Sequence, residues 1–241
     1  GIGDTVEEVE AIMKEISETA REIGVQVVGG HTEFTDKVTE PIIAIIALGK
    51  VTRNKLSTST GAKPGDRIVI SKGAGIEGTA ILAEEYRDML SELSETVLDK
   101  AARFYDMISI VPEGRIATSQ GVRVMHDATE GGVIGALWEV AEASNVGFTV
   151  DRDKVPVRLE TKAICDKLGI DPLRLLSSGT LIMITPEPDE LLSELQKAGI
   201  DAAVIGLIEE NPERRVIVCQ GEEVPVTGPT TDELWRLKSP K

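Results

Sequence analysis

Val122-Arg123-Val124-Met125-His126-Asp127-Ala128-Thr129-Glu130-Gly131-Gly132-Val133 is the stretch whose reading decides the fold. An extended apolar run stops at His126-Asp127, and a short polar loop follows. The two glycines then open a segment in which Val133, Ile134, Leu137, Val140 and Ala141 recur at helical spacing. A strand end facing a helix start is where α/β proteins place ligands. The first turn of a helix has unpaired N–H groups and partial positive charge. This corner also carries an imidazole, two carboxylates and a hydroxyl, and its glycines let a ligand come close to the backbone. Asp127, Glu130 and His126 are the candidate catalytic residues, and Thr129, Gly131 and Gly132 line the loop.

Working outward, Val6, Val9, Ile12, Ile16, Ala20 and Ile23 mark an amphipathic helix, with Asp4 and Glu7 as a capping box and Gly24 as its C-terminal cap. Val25–Val28 reads as a short strand, and the unbroken run Pro41–Val51 as a central buried strand. Asn54 to Pro64 is a polar tract expected to link two domains. Strands are predicted over Arg67–Ser71, Val146–Val150, Thr180–Thr185, Ala202–Ile208 and Arg214–Cys219, the last in a hairpin through Gln220-Gly221-Glu222. Helices are predicted over Thr79–Leu90, Ser94–Met107, Leu159–Leu168 and Glu187–Ala198. Elements alternate without strict βαβ regularity, and late strands pair as hairpins. The class is therefore α/β of the α+β type, with mixed sheets.

Further glycine-rich strand ends stand out. Gly29-Gly30-His31-Thr32-Glu33 places the only other histidine beside a hydroxyl and an acid. Lys72-Gly73-Ala74-Gly75-Ile76-Glu77-Gly78 carries a GxGxxG between a strand and a helix. The acid that a dinucleotide fingerprint needs about 20 residues on falls in a helical stretch, so the glycines serve either a phosphate or tight strand–helix packing. Ser177-Ser178-Gly179 reads as a turn between helix and strand. Trp235 is expected to pack a C-terminal tail onto the body.

Net charge is −15, against the Lys/Arg stripes that nucleic acid binding needs. No apolar run approaches the length of a bilayer span, and Cys165 and Cys219 suit reduced buried thiols of a cytoplasmic protein. No cluster has zinc-ligand spacing. The oxygens of Asp127, Thr129, Glu130 and Glu33 suit Mg²⁺ instead.

These elements, in this order, resemble the AIR synthase-related (PurM-like) superfamily, and within it the HypE-like hydrogenase-maturation branch. The resemblance rests on Val27-Val28-Gly29-Gly30-His31-Thr32-Glu33, Gly61-Ala62-Lys63-Pro64-Gly65-Asp66, Met125-His126-Asp127-Ala128-Thr129-Glu130-Gly131-Gly132, Asp171-Pro172-Leu173 through Leu181, and Asp232-Glu233-Leu234-Trp235. It implies two domains: residues 1–53 as the remainder of a dimerising, ATP-binding N-terminal domain, and 54–241 as the C-terminal domain. It implies ATP with Mg²⁺ in a cleft where the two glycine-hinged corners converge, and a homodimeric enzyme that activates an amide, carboxamide or phosphate oxygen. The substrate would be a small molecule or a carboxamide on a partner protein. Gly29, Gly30, His31 and Thr32 would lie along the nucleotide, joined by Lys72 and Gly73, with Asp127 and Glu33 as metal ligands.

The sequence departs from that pattern in several places. His31 stands where relatives often have an acid, and Glu130 where HypE-like relatives have Arg. The family's acidic nucleotide-binding segment, which precedes the first helix, and the terminal cysteine of the HypE branch have no counterpart in the chain. An N-terminal piece is therefore expected to be missing, and self-modification at a tail cysteine is not expected. A non-catalytic nucleotide-binding or maturation-partner module of the same fold is the rival reading.

Overall fold

The computed structural model describes residues 5–53, 56–229 and 231–238. It divides into two compact units, Gly1–Thr52 and Arg53–Lys241.

In the first unit, helix α1 (Val6–Ile23) begins at Thr5. The Thr5 hydroxyl accepts from the Glu8 N–H, and the Glu8 carboxylate accepts from the Thr5 N–H. This capping box sits one residue later than the one read from the sequence, whose Asp4 lies outside the described residues. Gly24, at φ 75°, closes the helix. From Val25 to Thr52 the chain forms no helix or strand. The strands expected over Val25–Val28 and Pro41–Val51 are absent, and Ile42, Ile46 and Leu48 are 77%, 86% and 88% exposed. An apolar run states a need for burial, but a strand exists only where a neighbour supplies its ladder. No described residue of this unit is buried.

The second unit is built on a seven-stranded sheet. Its strands are β1 (Arg67–Ser71), β2 (Val124–Asp127), β3 (Gly147–Asp151), β4 (Leu181–Thr185), β5 (Ala202–Glu209), β6 (Arg215–Cys219) and β7 (Glu222–Pro225). They run in the order β2-β4-β1-β5-β3-β6-β7. Only β3 and β6 pair parallel, so the sheet is mixed. Strand alternation sorts its core residues to two faces. Ile68, Ile70, Val124, Ile182, Ile184 and Phe148 pack against helix α5 (Gly132–Ser144) through Ile134, Leu137 and Val140. Each of those three helix side chains contributes about 1.5–3 kcal/mol by leaving water. Val69, Leu181 and Met183 face the other way, against helices α4 (Val111–Ser119) and α7 (Pro188–Lys197).

A second apolar cluster joins helices α2 (Ile76–Glu85), α3 (Glu95–Ala102) and α6 (Leu159–Leu168). The two helices read as long from the sequence, Thr79–Leu90 and Ser94–Met107, are each divided into an α part and a 3₁₀ turn, Arg87–Leu90 and Arg103–Met107. Leu234, at the start of the short helix α8 (Glu233–Lys238), is buried in this cluster. Leu234 thus fastens the tail, and its neighbour Trp235 is half-exposed. The expected linker is also fastened: Ser57 Oγ donates to the Arg123 carbonyl, and Ser144 Oγ to that of Ser59. Asn54 and Lys55 lie outside the described residues. Cys165 is buried, which pushes its thiol up to about 12, whereas Cys219 is only half-buried. No helix among the described residues is long and apolar enough to cross a membrane.

The GxGxxG glycines have a packing role. A Cβ on Gly78 would lie 2.5 Å from Leu175 Cγ, and one on Gly73 2.8 Å from the Pro156 carbonyl oxygen. Leu175 is fully buried and cannot swing out into solvent. Gly78→Ala is therefore expected to cost about 1–3 kcal/mol by overpacking. Thermal unfolding would show this as a fall of about 2–12 °C. An unchanged melting temperature would mean that this corner is loosely packed.

Candidate functional site

Antiparallel pairing brings the C-terminal ends of β1 and β2 to the same edge of the sheet as the start of β4. Three loops therefore meet there: residues 72–75, 128–131 and 176–180. Backbone and hydroxyl bonds stitch them together. Ala128 N–H donates to the Thr180 carbonyl at 2.9 Å, Gly75 N–H to Ser177 Oγ at 2.7 Å, and Thr180 Oγ1 to the Gly73 carbonyl at 2.5 Å. The Ser177-Ser178-Gly179 turn, read from the sequence as a helix-to-strand turn, is thus the hub of this corner.

Lys72, in a left-handed conformation at φ 58°, turns its ammonium inward. Nζ donates to the carbonyls of Met107, Ser109 and Gly179 at 2.8, 2.7 and 2.9 Å. It also lies 2.7 Å from Oε1 of Glu113 on α4, a carboxylate with no solvent exposure. Neither Glu113 oxygen receives a well-directed hydrogen bond, so the pair rests on charge. The Lys72 ammonium is engaged inside the protein, and the N–H groups of residues 72–75 already donate to the carbonyls of Asp201, Ser71 and Pro156 and to Ser177 Oγ.

Along β2, Val124 packs toward α5 and Met125 toward the opposite face. The next pair follows suit. The His126 ring meets Glu139 of α5, Nε2 to Oε2 2.6 Å, and is therefore tied to a partner on the α5 side. Asp127 looks instead toward Lys72, Glu77 and Gly179. Its Oδ1 is buried and has no hydrogen-bond partner. Burial holds the Asp127 carboxyl above its ordinary range. Glu77 adds to the effect, while His126, Lys72 and a backbone hydrogen bond from Gly179 oppose it. Glu77, in the first turn of α2, is an acid that the sequence reading passed over as part of the glycine motif.

Thr129 is half-buried, and its carbonyl accepts from Gly132 N–H at 3.0 Å; Glu130 is exposed. Gly132, at φ 63°, lies so close to its neighbours that a Cβ would sit 2.6 Å from the Leu173 carbonyl oxygen. The Gly131 N–H, at the positive end of α5, is already taken by the Asp232 carboxylate at 2.7 Å. In the first unit, Gly29, Gly30, His31, Thr32 and Glu33 are all exposed, with His31 Nε2 3.9 Å from Glu33 Oε2. A Cβ on Gly29 or Gly30 would meet nothing within 4 Å, so packing within this unit does not require glycine at either position.

No group of three His, Cys, Asp or Glu residues that could hold a metal ion occurs among the described residues. What the corner offers a cation is one carboxylate oxygen shielded from water and lacking a donor. Such an atom is costly to leave unmatched and gains most from a positive partner.

Comparison with known proteins bears on this geometry. Residues 63–219 match the model for the C-terminal domain of AIR synthase related proteins, and residues 1–51 the model for their N-terminal domain. A protein of Methanocaldococcus jannaschii named for hydrogenase expression/formation is 35% identical over 210 residues, which is 85% of this chain and 60% of that protein. The carbamoyl dehydratase HypE of Rhizobium leguminosarum is 31% identical over 205 residues, covering 83% of this chain and 57% of the relative. The chain thus spans about three fifths of the length of these relatives. A crystal structure of the hydrogenase maturation protein HypE in complex with ATP shares the fold. Its TM-score is 0.69 at 24% identity, over 98% of this chain and 72% of that one.

Proposed function

This chain belongs to the AIR synthase related family, and on that premise we propose that it is part of an ATP-dependent enzyme whose Mg·ATP activates an amide, carboxamide or phosphate oxygen. The observation that carries the proposal is the orphaned, buried Oδ1 of Asp127 at a corner where three loops meet. That atom fits Mg²⁺, an ion that prefers one or two carboxylates completed by phosphate oxygens and water. Asp127 would hold the ion. Once bound, the ion would supply neutralisation of phosphate charge.

The chain's own residues do the rest. The Lys72 ammonium donates to the Gly179 carbonyl, and the N–H of the same residue, in the preceding peptide, in turn holds Asp127. Thr129 and Glu130 lie in the same loop. A phosphorylated carboxamide oxygen departs as phosphate far more readily than as hydroxide. Catalysis then rests on placement and on charge stabilisation. The relatives' names support a carboxamide, carried on a partner protein or a small molecule, as the substrate class, and hydrogenase maturation as the setting. A homodimer completes the proposal.

One observation favours the rival reading of a non-catalytic module: the Lys72 ammonium and the Gly131 N–H, natural phosphate partners, are both engaged internally. Titration of the full-length protein with Mg·ATP separates the two, followed by assay of phosphate release. Saturable binding with hydrolysis is expected, and binding without any hydrolysis would favour the module. Glu130 gives a further check by sign. An exposed carboxylate beside a triphosphate repels it, so Glu130→Arg should tighten Mg·ATP binding about threefold to fivefold. Unchanged affinity would place this loop away from the phosphates.

A further inference from the structure

Helix α5 starts without a cap of its own. Its N-cap residue is Gly131, at φ 78°, which has no side chain to satisfy the first-turn amides. The missing cap arrives from 101 residues further along the chain. Asp232 Oδ2 accepts from the Gly131 N–H at 2.7 Å, while its Oδ1 accepts from the Leu234 N–H at 2.8 Å. Asp232 is 2% exposed, and Leu234 is 3% exposed within the α2, α3 and α6 cluster. Each carboxylate oxygen therefore has a backbone partner, and the segment that carries the carboxylate is anchored in a core.

We propose that Asp232 is a positioning residue, a cap supplied from the C-terminal tail that fixes the Asp127–Gly132 loop for Mg·ATP. This rests on the function proposed above for that loop. The loop begins at Asp127, and Gly131 is where its backbone turns into α5; Gly132 N–H returns to the Thr129 carbonyl at 3.0 Å. Holding the Gly131 amide therefore sets the path of the residues between it and the strand. The same carboxylate neutralises the positive end of α5. Asp232 thus excludes the nucleotide phosphates from that amide, and they are bound elsewhere along the loop. A displaceable plug would be exposed and loosely held, whereas this carboxylate is buried and held at both oxygens.

The two arrangements predict opposite signs. If Asp232 were a plug, removing it would free an amide and a helix terminus for phosphate, and binding would tighten. If it positions the loop, removing it weakens binding. The test is calorimetric titration of the full-length protein with Mg·ATP. It uses Asp232→Ala, Asp232→Ser as a milder variant that keeps one acceptor, Asp232→Asn, which keeps the shape and one acceptor oxygen but sets its NH2 against the other N–H, and Leu234→Ala, which loosens the tail but leaves the carboxylate. Melting temperatures are recorded for all, and amide exchange is followed over residues 128–135.

Asp232→Ala is expected to weaken Mg·ATP binding about fivefold or more and Asp232→Ser about threefold, with faster exchange in the loop. Asp232→Asn should recover part of the loss, since its single amide oxygen can still accept from the Gly131 N–H. Leu234→Ala should lower the melting temperature and leave affinity within about twofold of wild type. Tighter or unchanged binding in Asp232→Ala, or in Asp232→Ser should the first not fold, would overturn the proposal. A Leu234→Ala loss as large as that of Asp232→Ala would do the same. Failure of the wild type to bind Mg·ATP would overturn the functional reading together with this role, and it shows in the first titration, ahead of every substitution.

Discussion

Lys72→Met is expected to destabilise the second unit by about 3–5 kcal/mol, because it leaves the Glu113 carboxylate charged and alone inside the protein. Glu113 has no solvent exposure and no directed hydrogen bond, so the ammonium is what makes its burial tolerable. The substitution also removes the donor shared by the Met107, Ser109 and Gly179 carbonyls, which ties β1 to α4 and to the turn before β4. A unit of this size should lose about 6–20 °C in melting temperature. The double variant Lys72→Met/Glu113→Leu should regain more than half of the loss, since it removes the stranded charge along with its partner. Calorimetric melting of the two single variants and the double measures this coupling. A Lys72→Met protein that melts within about 2 °C of wild type would show that the ion pair contributes little.

The sequence encodes this corner unevenly. The β2 and α5 elements are legible because a strand run ends in Gly-Gly and the apolar period then changes from two to about 3.6, a local signal. β1 and α6 are legible for the same reason. Helix α4 is not, because Pro112 and Gly114 interrupt any periodic face, yet it carries the Glu113 that holds Lys72. Lys72 itself looks like a phosphate ligand beside a glycine loop. Its three carbonyl partners lie 35 to 107 residues away, and nothing local announces them. Asp232 and Gly131 are likewise 101 residues apart.

Strand alternation, by contrast, is a local signal strong enough to separate His126 from Asp127, since neighbours on a strand point to opposite faces. The apolar run Pro41–Val51 shows the reverse limit. Its composition records a demand for burial, while the partner that would meet it is not specified by the run itself.

Asp127→Asn is expected to separate stability from function. The folded protein holds the Asp127 carboxyl above its unfolded value, chiefly by burial and also through Glu77. For an acid shifted in this direction the folded state binds the proton more tightly than the unfolded one. Stability therefore falls as pH rises from the unfolded pKa, near 4, through the folded one, and the cost persists at higher pH. Asn is neutral at every pH and nearly the same shape. At pH 7 the variant should melt at the same temperature as wild type or above it, and near pH 3 the two should converge. Mg·ATP binding or turnover should fall at least about tenfold, roughly 1.4 kcal/mol, because the orphaned oxygen is the atom proposed to receive the ion. A carboxylate kept where it weakens the fold is what a binding site requires and what a purely structural residue would not show. Melting at the two pH values with a Mg·ATP titration decides the matter. A variant that loses several degrees at pH 7 while binding nucleotide as wild type does would make Asp127 a structural residue and move the ion elsewhere.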